Sequence, residues 1–485
     1  MSLLSRAPPP KSLPRPRDEL WDLDMSLLWF SRGDPWSIRD ACEGVQVFGG
    51  IGSGKTSGSG AAIAKSFLRA GFGGLVLCSK PEERALWERY CRETGRSSQL
   101  IIFRPGDHQW KFNFIDDQLQ RATMLGGGLT ENLVELLTTV TTLVEGVSGM
   151  DTGDKFWGRA MKTMLRCAID ILTLANDTLT LVDLHRFISE APQSVAQVAD
   201  ESWQQSSFMA RCISKAQAKP KTAQQEHDFD VSVRYWLQSF AGMADRTKSS
   251  IVATFESVGD LLLHGVAHEL LCTETTWLPE LCFDGAITIL DLPLQRYFEV
   301  GRIIQGIIKY AWQRAVLSRD ITQKPRPVFL WIDEAQGHIS PFDYEYQSTA
   351  RSARACTVYL TQSITNIYAR LGDGGRSQAD ALLGLFQTTI FHANADAVTN
   401  EWAAERIGRR WLTTYSFHSN RSDQGGSRGS GGSESVQYKV LPSEFTTLRK
   451  GGPANNLQVD AVIFQGGRVW NASGDTYLRT IFTQG

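Results

Sequence analysis

The sequence lacks the features that mark membrane-spanning and disulfide-stabilised proteins. None of its 485 residues belongs to a run of the roughly 18 apolar residues that a membrane span needs. Residues 1–17 are proline-rich and basic and contain no apolar signal core. The eight cysteines are scattered, and no two have the C-x-x-C spacing of a zinc or redox site. These absences predict a cytoplasmic protein with reduced cysteines and no intrinsic membrane span.

A strong charge of one sign is also missing, because the formal net charge is only -2. Such a chain exerts no general attraction on nucleic acid, so a DNA partner is neither supported nor excluded by charge. The 42% hydrophobic and 21% charged residues are typical of a globular protein. The length is sufficient for two substantial hydrophobic cores.

The most informative feature that is present is a glycine-rich loop between an apolar run and a predicted helix. Residues 49–56 read Gly-Gly-Ile-Gly-Ser-Gly-Lys-Thr, after the apolar residues 45–48 and before a helical pattern over residues 61–70. This order directs backbone N–H donors and the positive end of a helix toward a phosphate. Lys55 is expected to bridge the β- and γ-phosphates of ATP, and Thr56 to hold Mg²⁺. The predicted nucleotide-binding residues are Gly49, Gly50, Gly52, Ser53, Gly54, Lys55, Thr56 and Ser57.

Two adjacent acids follow another apolar run, Val328-Phe329-Leu330-Trp331-Ile332. Asp333 is expected to face Mg²⁺ through water, and Glu334 to polarise the water that attacks the γ-phosphate. Adjacent acids after a strand can instead cap the next helix. Together with the glycine loop, however, the pair predicts catalysis of phosphoryl transfer.

Three further polar residues are candidates for catalysis. Gln362 follows the predicted strand 357–360, where it could sense the γ-phosphate or orient the water, or could be idle beside a helix cap. Arg351 and Arg354 are predicted on the helix before that strand. Either could act as an arginine finger on a neighbouring subunit's nucleotide, or both could be ordinary surface charges. His264 and His268 lack a third ligand, so Mg²⁺ is the only metal inferred.

The pattern of apolar runs predicts an α/β fold with a mainly parallel sheet. The runs are continuous rather than alternating, as in strands buried on both faces, and helical stretches lie between them. About 180 residues of mostly helical periodicity separate the third run from the fourth, which predicts an inserted all-α domain. The predicted domains are an extended Pro/Trp-rich arm that docks onto the body or a neighbour (1–40), a nucleotide-binding domain (41–115 and 246–485) and the insert (116–245). The predicted strands are residues 45–48, 74–78, 100–103, 286–290, 328–332, 357–360 and 389–392.

Other segments have two interpretations each. Residues 424–435 are rich in glycine and serine and are predicted to form a flexible loop, either a solvated linker or a loop that handles a substrate. Residues 459–464 and 468–470 flank Gln-Gly-Gly as a predicted terminal hairpin. Basic residues of the insert could contact phosphates or form a solvated face. They are Arg159, Lys162 and Arg166 on one helix, and Lys215, Lys219 and Lys221 around a proline.

In its short motifs the chain resembles the TraG/TraD-type coupling proteins of conjugation and type IV secretion, which belong to the FtsK-HerA class of P-loop ATPases. The resemblance extends from about residue 44 to the C-terminus. The motifs that carry it, besides the glycine loop and Asp333-Glu334, are Lys80-Pro81-Glu82-Glu83, Phe112-Asn113, Phe156-Trp157, Ala350-Arg351-Ser352, Thr361-Gln362-Ser363, Thr399-Asn400-Glu401 and Leu448-Arg449-Lys450-Gly451-Gly452.

The resemblance implies a RecA-like motor domain with an inserted helical domain, assembled as a hexamer that couples ATP hydrolysis to translocation of DNA or of a nucleoprotein toward a secretion channel. It favours Arg351 as the finger and suggests a relaxase or channel proteins as partners. Family members usually carry N-terminal transmembrane helices, whereas this sequence shows none, so membrane contact is expected only through a partner. The alternative function is an ATP-gated platform that recruits proteins and moves no DNA.

Overall fold

The structure is a computed structural model that describes residues 21–125, 129–145, 155–371, 375–422 and 425–484. Its strands alternate with helices along most of the chain, apart from one long helical segment. The strands are β1 (Ser26–Ser31), β2 (Asp34–Ser37), β3 (Val45–Phe48), β4 (Gly73–Leu77), β5 (Leu100–Phe103), β6 (Ile287–Leu290), β7 (Val328–Ile332), β8 (Ala355–Thr361), β9 (Thr388–Phe391), β10 (Arg409–Ser422), β11 (Gly425–Tyr438), β12 (Gln458–Gln465) and β13 (Tyr477–Thr483).

The helices cover both faces of the sheet and form the insert between β5 and β6. None of the described helices is long and apolar enough to cross a membrane. The helices are α1 (Ile38–Cys42), α2 (Ala61–Arg69), α3 (Glu82–Glu93), α4 (Phe114–Leu125), α5 (Leu129–Glu145), α6 (Lys155–Ala175), α7 (Leu181–Ser189), α8 (Val195–Val198), α9 (Glu201–Ser206), α10 (Phe208–Ala218), α11 (Ala223–Arg234), α12 (Asp245–Leu263), α13 (Gly265–Leu271), α14 (Leu294–Ser318), α15 (Phe342–Thr349), α16 (Ile364–Leu371), α17 (Gly375–Gly384) and α18 (Ala397–Ile407).

A nine-stranded sheet in the order β13-β12-β9-β3-β8-β7-β4-β6-β5 forms the centre of the protein. Every pair from β9 to β5 is parallel, whereas β12 and β13 pair antiparallel at one edge. Strands β3, β4, β6, β7, β8 and β9 are buried at every position. Strands covered on both faces require continuous apolar runs, which explains why the sequence showed no alternation in these segments.

Alternate side chains of β7 contact two different cores. Phe329 and Trp331 belong to a core with α2 and α3, whereas Leu330 and Ile332 belong to a core with α14 and the inserted helices. The second core is continuous from the sheet into the insert, so burial of apolar surface holds the two regions together.

The insert consists of helices α4 to α13, between Phe114 and Leu271. Helix α12 begins at Asp245, where the sequence places the return to the nucleotide-binding domain, and it packs against α5, α6, α7 and α13. The predicted domain limits remain predictions.

The N-terminal segment is not an extended arm from Trp21 onward. Strands β1 and β2 form an antiparallel hairpin, and Phe30 and Trp36 are buried against the main sheet. Trp36 Nε1 donates a hydrogen bond of 3.2 Å to Thr388 Oγ1 at the start of β9. The large apolar area of these aromatic side chains favours docking over extension into water. Residues 1–20 lie outside the described part of the chain.

The predicted terminal hairpin has a different second strand. Strand β12 pairs with β13, with Val459 opposite Phe482, and residues 468–470 are not in a strand. Trp470 is buried beside Phe30, with ring centroids 5.9 Å apart. Arg468 stacks on the Trp470 ring at 4.1 Å. This segment therefore packs on the N-terminal hairpin instead of continuing the sheet.

The glycine- and serine-rich segment predicted as a flexible loop is a strand over residues 425–435. It forms most of β11, which pairs with β10 from Arg409 opposite Tyr438 to Ser422 opposite Gly425. Backbone hydrogen bonds between strands do not depend on bulky side chains, so composition alone does not reveal them. Residues 423–424 lie outside the described part of the chain. On β10, Trp411 and Tyr415 are 72% and 68% exposed, so these two residues lie outside the core.

Candidate nucleotide site

The glycine loop connects β3 to α2 at the carboxyl edge of the parallel strands. Residues 56–60 form a wide helical turn before α2, in which Gly60 N donates to Lys55 O at 2.8 Å. A Cβ at position 60 would lie 2.9 Å from that same oxygen, so the turn requires glycine there. Gly54 has a φ of +83°, and a Cβ at this position would lie 2.6 Å from Val459. The loop conformation therefore depends on both glycines.

A cleft of about 230 Å³ lies over this loop. Ser53 Oγ is buried there and has no hydrogen-bond partner among the described residues, although buried hydroxyls are normally paired. An unpaired donor beside a helix N-terminus fits the oxygens of a phosphate. The cleft is lined by Gly50, Gly52, Ser53, Gly54, Lys55, Thr56, Ser57, Lys80 and Leu86.

The predicted metal-binding residues lie together. Thr56 Oγ1 donates a hydrogen bond of 2.8 Å to Asp333 Oδ2, and Asp333 directly follows β7 at the same sheet edge. A hydroxyl and a carboxylate are the hard oxygen ligands that Mg²⁺ prefers, and Mg²⁺ usually takes its other ligands from water and phosphates. Among the described residues no group of three or more His, Cys, Asp or Glu side chains is arranged for a metal. Thr56 and Asp333 therefore fit a magnesium site shared with a substrate phosphate.

Glu334 is held by hydrogen bonds on both of its carboxylate oxygens. Lys80 Nζ donates to Oε1 at 2.7 Å, and Gln336 Nε2 donates to Oε2 at 2.9 Å. Gln362 Nε2 lies 3.2 Å from each oxygen, and Lys55 Nζ lies 4.0 Å from Oε1. Burial raises the pKa of Glu334, but these donors and the Lys55 charge outweigh burial and lower the pKa to about 2. Glu334 is therefore ionised in this arrangement.

The backbone of Glu334 is also unusual, because its φ is +52°. A non-glycine residue in the left-handed region costs on the order of 1 to 2 kcal/mol. The strain turns the chain out of β7 immediately after Asp333 and brings the Glu334 side chain to Lys80. It is therefore part of the geometry of the site.

Lys80 is the site residue that sequence reasoning missed. The motif that begins at Lys80 contributes to the family resemblance, but the sequence alone indicates no role for this lysine. Its position after β4 places it at the same sheet edge as Asp333, because β4 and β7 are parallel neighbours. The carboxyl ends of parallel strands meet at one edge of a sheet, so the position of Lys80 after a predicted strand could have indicated its place in the site.

The turn that carries Lys80 is tied directly to the end of β7. Ser79 Oγ donates to Asp333 O at 2.9 Å, and Ser79 N donates to Glu83 Oε2 at 2.9 Å. Burial raises the pKa of Glu83 well above its ordinary value. The Ser79 hydroxyl thus links this turn to the end of β7.

Gln362 lies at the site, as its position after β8 predicts, and its amide contacts the base candidate Glu334. The interpretation as an idle residue next to a helix cap therefore omits its main contact. Its role in sensing the γ-phosphate or orienting water remains a prediction.

Arg351 and Arg354 are not on a helix, and they lie away from this site. Helix α15 ends at Thr349, and both arginines are in the turns before β8, where Arg354 has a φ of +49°. The seven residues of β8 separate them from Gln362, a distance of roughly 20 Å at 3.3 Å per residue. Neither arginine therefore serves the nucleotide of its own chain, and a role on a neighbouring subunit remains a prediction.

The two arginines differ in how they are bound. Arg354 Nη1 donates to Pro325 O at 3.1 Å and to Trp21 O at 3.3 Å. Arg351 forms one ion pair with Glu43 at 3.2 Å, and its side chain is 61% exposed. Arg351 would therefore lose fewer contacts than Arg354 if its guanidinium turned toward a second subunit.

Two residues from the C-terminal hundred residues contact the chain just after the glycine loop. Gln484 Nε2 donates to Ser57 Oγ at 2.6 Å, and the ring of His392 contacts Ser59 Oγ at 2.7 Å. Burial and the Lys55 charge lower the pKa of His392 to about 4, so this ring is neutral near pH 7. Sequence reasoning did not find these contacts, since each joins residues more than 300 positions apart.

Residues 327–450, which include Asp333 and Glu334, match the family described as "TraM recognition site of TraD and TraG". The fold matches the bacterial conjugative coupling protein TrwBdeltaN70 in its unbound form, with a TM-score of 0.58 and 14% identity over 93% of this chain and 88% of that one. This is a TraG/TraD-type fold. The predicted resemblance is confirmed, as is the predicted RecA-like α/β fold with a helical insert.

Other structures of the same relative agree with this assignment. TrwB in complex with ADP and Mg²⁺ has a TM-score of 0.56 and 14% identity, over 97% of this chain and 92% of that one. TrwB in complex with the non-hydrolysable ATP analogue ADPNP has a TM-score of 0.55 and 15% identity, over 95% and 88%. No curated protein is a significant sequence match. At these identities the TraG/TraD-type assignment is one of fold.

Proposed function

We propose that this protein is a Mg²⁺-dependent ATPase of the conjugative coupling type, which assembles as a ring and moves DNA or a nucleoprotein toward a type IV secretion channel. The observation that carries the proposal is the convergence of the glycine loop and the β7 acids, with Thr56 and Asp333 joined at 2.8 Å. The likeness to TrwB structures with ADP and Mg²⁺ or an ATP analogue supports nucleotide as the ligand.

The residues of the site divide the work of in-line phosphoryl transfer. Lys55 binds the phosphate oxygens, and the loop N–H groups and Ser53 Oγ surround them. Thr56 and Asp333 would hold Mg²⁺, which would supply neutralising charge on the phosphates. Glu334 accepts the proton of the attacking water, and Gln362 orients that water or reports the γ-phosphate.

Assembly would complete this site. The more exposed candidate finger, Arg351, is at the opposite edge of the sheet, so only a neighbouring subunit could present it to the nucleotide. A hexamer, as in the family resemblance, would supply it in a closed ring. Contact with a membrane, a relaxase or a channel would then come through partner proteins.

A recruitment platform is the second candidate, and one observation favours it. The basic residues of the insert that sequence reasoning offered for phosphate contact are largely paired with acids. Lys162 pairs with Glu135 at 3.0 Å, and Lys219 with Asp177 at 3.2 Å. Arg166 also pairs with Glu131, at 2.5 Å. This face therefore offers less free positive charge to a nucleic acid than the sequence suggests.

The rate of ATP hydrolysis, measured with and without single- or double-stranded DNA over a range of salt, distinguishes the two functions. A DNA motor should be stimulated several-fold at low salt, and the stimulation should fade as salt rises. A hydrolysis rate that does not change when DNA is added at low salt would favour the recruitment platform. Lys55→Ala should remove hydrolysis in both cases, and a Lys55→Ala protein that hydrolyses ATP at the parental rate would refute the nucleotide site itself.

A further inference from the structure

Lys80 has two neighbours that matter for catalysis. Its side chain lines the same cleft as Lys55 and the glycine loop, and its ammonium is 2.7 Å from Glu334 Oε1. Burial lowers the pKa of Lys80, but the hydrogen bond to Glu334 and the charges of Asp333 and Glu334 outweigh it and raise the pKa. A second positive charge, besides Lys55, therefore faces the phosphate region.

In this arrangement the oxygens of Glu334 are committed to side-chain donors. Lys80 and Gln336 each provide a bond shorter than 3.0 Å, and Gln362 approaches both oxygens at 3.2 Å. A general base must have an oxygen free to accept the proton of water. Glu334 therefore requires the loss of at least one donor before it can act, and the Lys80 contact is the shortest.

Lys80 is suited to exchange partners because its backbone is fixed while its side chain is not buried. Ser79 ties the turn to β7 and to Glu83. The Lys80 side chain, in contrast, is 30% exposed and has a flexible four-carbon stem. The charge can thus move between two acceptors without a change in the fold.

A γ-phosphate is the acceptor that can compete for this lysine. It carries more negative charge than one carboxylate and offers several oxygens to a point charge such as an ammonium. A diphosphate lacks this group, so Lys80 would remain on Glu334 when ADP is bound. The competition therefore depends on the one group that is cleaved.

We propose that Lys80 is a positioning residue that distinguishes triphosphate from diphosphate: it restrains Glu334 until a γ-phosphate draws its ammonium away, which frees the carboxylate to accept a proton from water. The proposal rests on the proposed ATPase function. Lys80 forms and breaks no covalent bond in this process. It links recognition of the γ-phosphate to release of the base, and so limits hydrolysis to a cleft that holds the complete substrate.

The test compares Lys80→Met with Lys80→Arg and with the control Arg84→Met in the full chain. Arg84 is a cation like Lys80 and lies on α3, but its partners are Glu88 and Asp291, outside the site. Dissociation constants are measured for a non-hydrolysable ATP analogue and for ADP, and kcat and KM are measured with ATP. Circular dichroism and thermal unfolding establish that each variant is folded.

Lys80→Met should weaken binding of the triphosphate analogue about tenfold, the effect of losing one charged contact of about 1.4 kcal/mol. Binding of ADP should change by less than about twofold, and kcat should fall by about tenfold or more because transition-state charge on the γ-phosphate loses a partner. Lys80→Arg should recover part of the preference for triphosphate. Arg84→Met should behave as the parent.

Two results would overturn the proposal. Equal weakening for triphosphate and ADP would assign Lys80 a merely structural role, and no change for either would mean that Lys80 stays on Glu334 throughout. Failure of the proposed function has a different signature, because the parental protein itself would then bind or hydrolyse no ATP. The parental control therefore separates the two failures.

Discussion

Two lysine–carboxylate pairs have their acids, Glu334 and Asp343, within ten residues of each other after β7, and the pairs differ mainly in access to water. Lys80–Glu334 spans 2.7 Å, with side chains 30% and 12% exposed. Lys309–Asp343 spans 2.6 Å, with side chains 1% and 0% exposed. The contacts are the same in chemistry and nearly equal in length. Their surroundings give them different roles.

The buried pair, Lys309–Asp343, is called the inner pair, and Lys80–Glu334 the outer pair. The inner pair joins α14 to the start of α15. Asp343 at the start of α15 also accepts from Gln313 Nε2 of α14 and from Ser340 N, both at 2.7 Å. Removing either charge would leave the other buried without an opposite charge, and such a charge is costly. The outer pair lies at the edge of the phosphate cleft, where water and substrate can replace either partner. A buried pair of this kind fastens helices, whereas one at a cleft edge can be exchanged.

The largest expected effect comes from the acid of the outer pair. Glu334→Gln should lower the rate of ATP hydrolysis by about 10³-fold, within the range of general-base contributions, while binding of a triphosphate is retained. The measurement is kcat together with the dissociation constant for a non-hydrolysable ATP analogue. Parental turnover in Glu334→Gln would show that Glu334 is not the base.

Asp343→Asn is the matched change in the inner pair. It should leave turnover per folded molecule within about threefold of the parent, since Asp343 binds α14 and its own turn and does not line the cleft. A loss of kcat in fully folded Asp343→Asn, as large as that of Glu334→Gln, would end the distinction between the two pairs.

A smaller effect, on stability rather than rate, is expected from the lysine of the inner pair. Lys309→Met should lower the free energy of unfolding by about 3 to 5 kcal/mol, because it leaves the Asp343 charge buried. Lys80→Met should lower it by about 1 kcal/mol at most, since Lys80 is partly exposed and Glu334 keeps Gln336 and Gln362 as donors. Urea unfolding of both variants measures the difference. Equal losses would mean that exposure does not separate these pairs.

The smallest effect concerns His338, which lies between the two pairs. Its backbone oxygen accepts from Lys309 at 2.6 Å, and its Nε2 contacts Ser79 Oγ at 3.0 Å. Burial, with the charges of Lys309, Arg302 and Arg370, lowers the pKa of His338 to about 3. The unfolded chain binds this proton near pH 6.5, so the contribution of a neutral His338 to stability is full above pH 6.5 and is lost as pH falls toward 3.

His338→Gln should therefore reduce the loss of stability between pH 7 and pH 5 by about 2 kcal/mol relative to the parent. Urea unfolding of parent and variant at both pH values gives the comparison. Parallel losses in the two proteins would show that His338 is protonated in the folded state. His338→Gln replaces a polar group by another polar group, so the pH dependence, rather than the stability at pH 7, is the informative quantity.

Much of the site could be predicted because its parts are contiguous in sequence. The glycine loop with its flanking strand and helix, and the apolar strand before Asp333-Glu334, each lie within about 20 residues. The boundaries of β3, β5 and β7 agree with the apolar runs, since strands buried on both faces leave a continuous signal. Parallel order then brings Thr56 to Asp333.

What could not be predicted involves partners distant in sequence. Lys80 and Glu334 are 254 residues apart, and neither residue type reveals the other. The partner of β12 was misassigned because Trp470 is buried against the N-terminal hairpin, and the ribbon of β10 and β11 was missed because glycine and serine carry no pattern of burial. The prediction that Arg351 and Arg354 lie on a helix is wrong, since the apolar residues around them do not indicate that α15 ends at Thr349.

The sequence by itself determined a glycine-rich loop between a strand and a helix, an acid pair after a buried strand, and a parallel sheet with a helical insert, because local spacing and apolar runs encode strands, turns and their order. Only the tertiary structure decided which donors hold Glu334, which edge of the sheet carries the arginines, and which lysine–carboxylate pair is open to the cleft. Those features depend on burial and on contacts between distant segments, and burial is a property of the folded chain rather than of any residue in it.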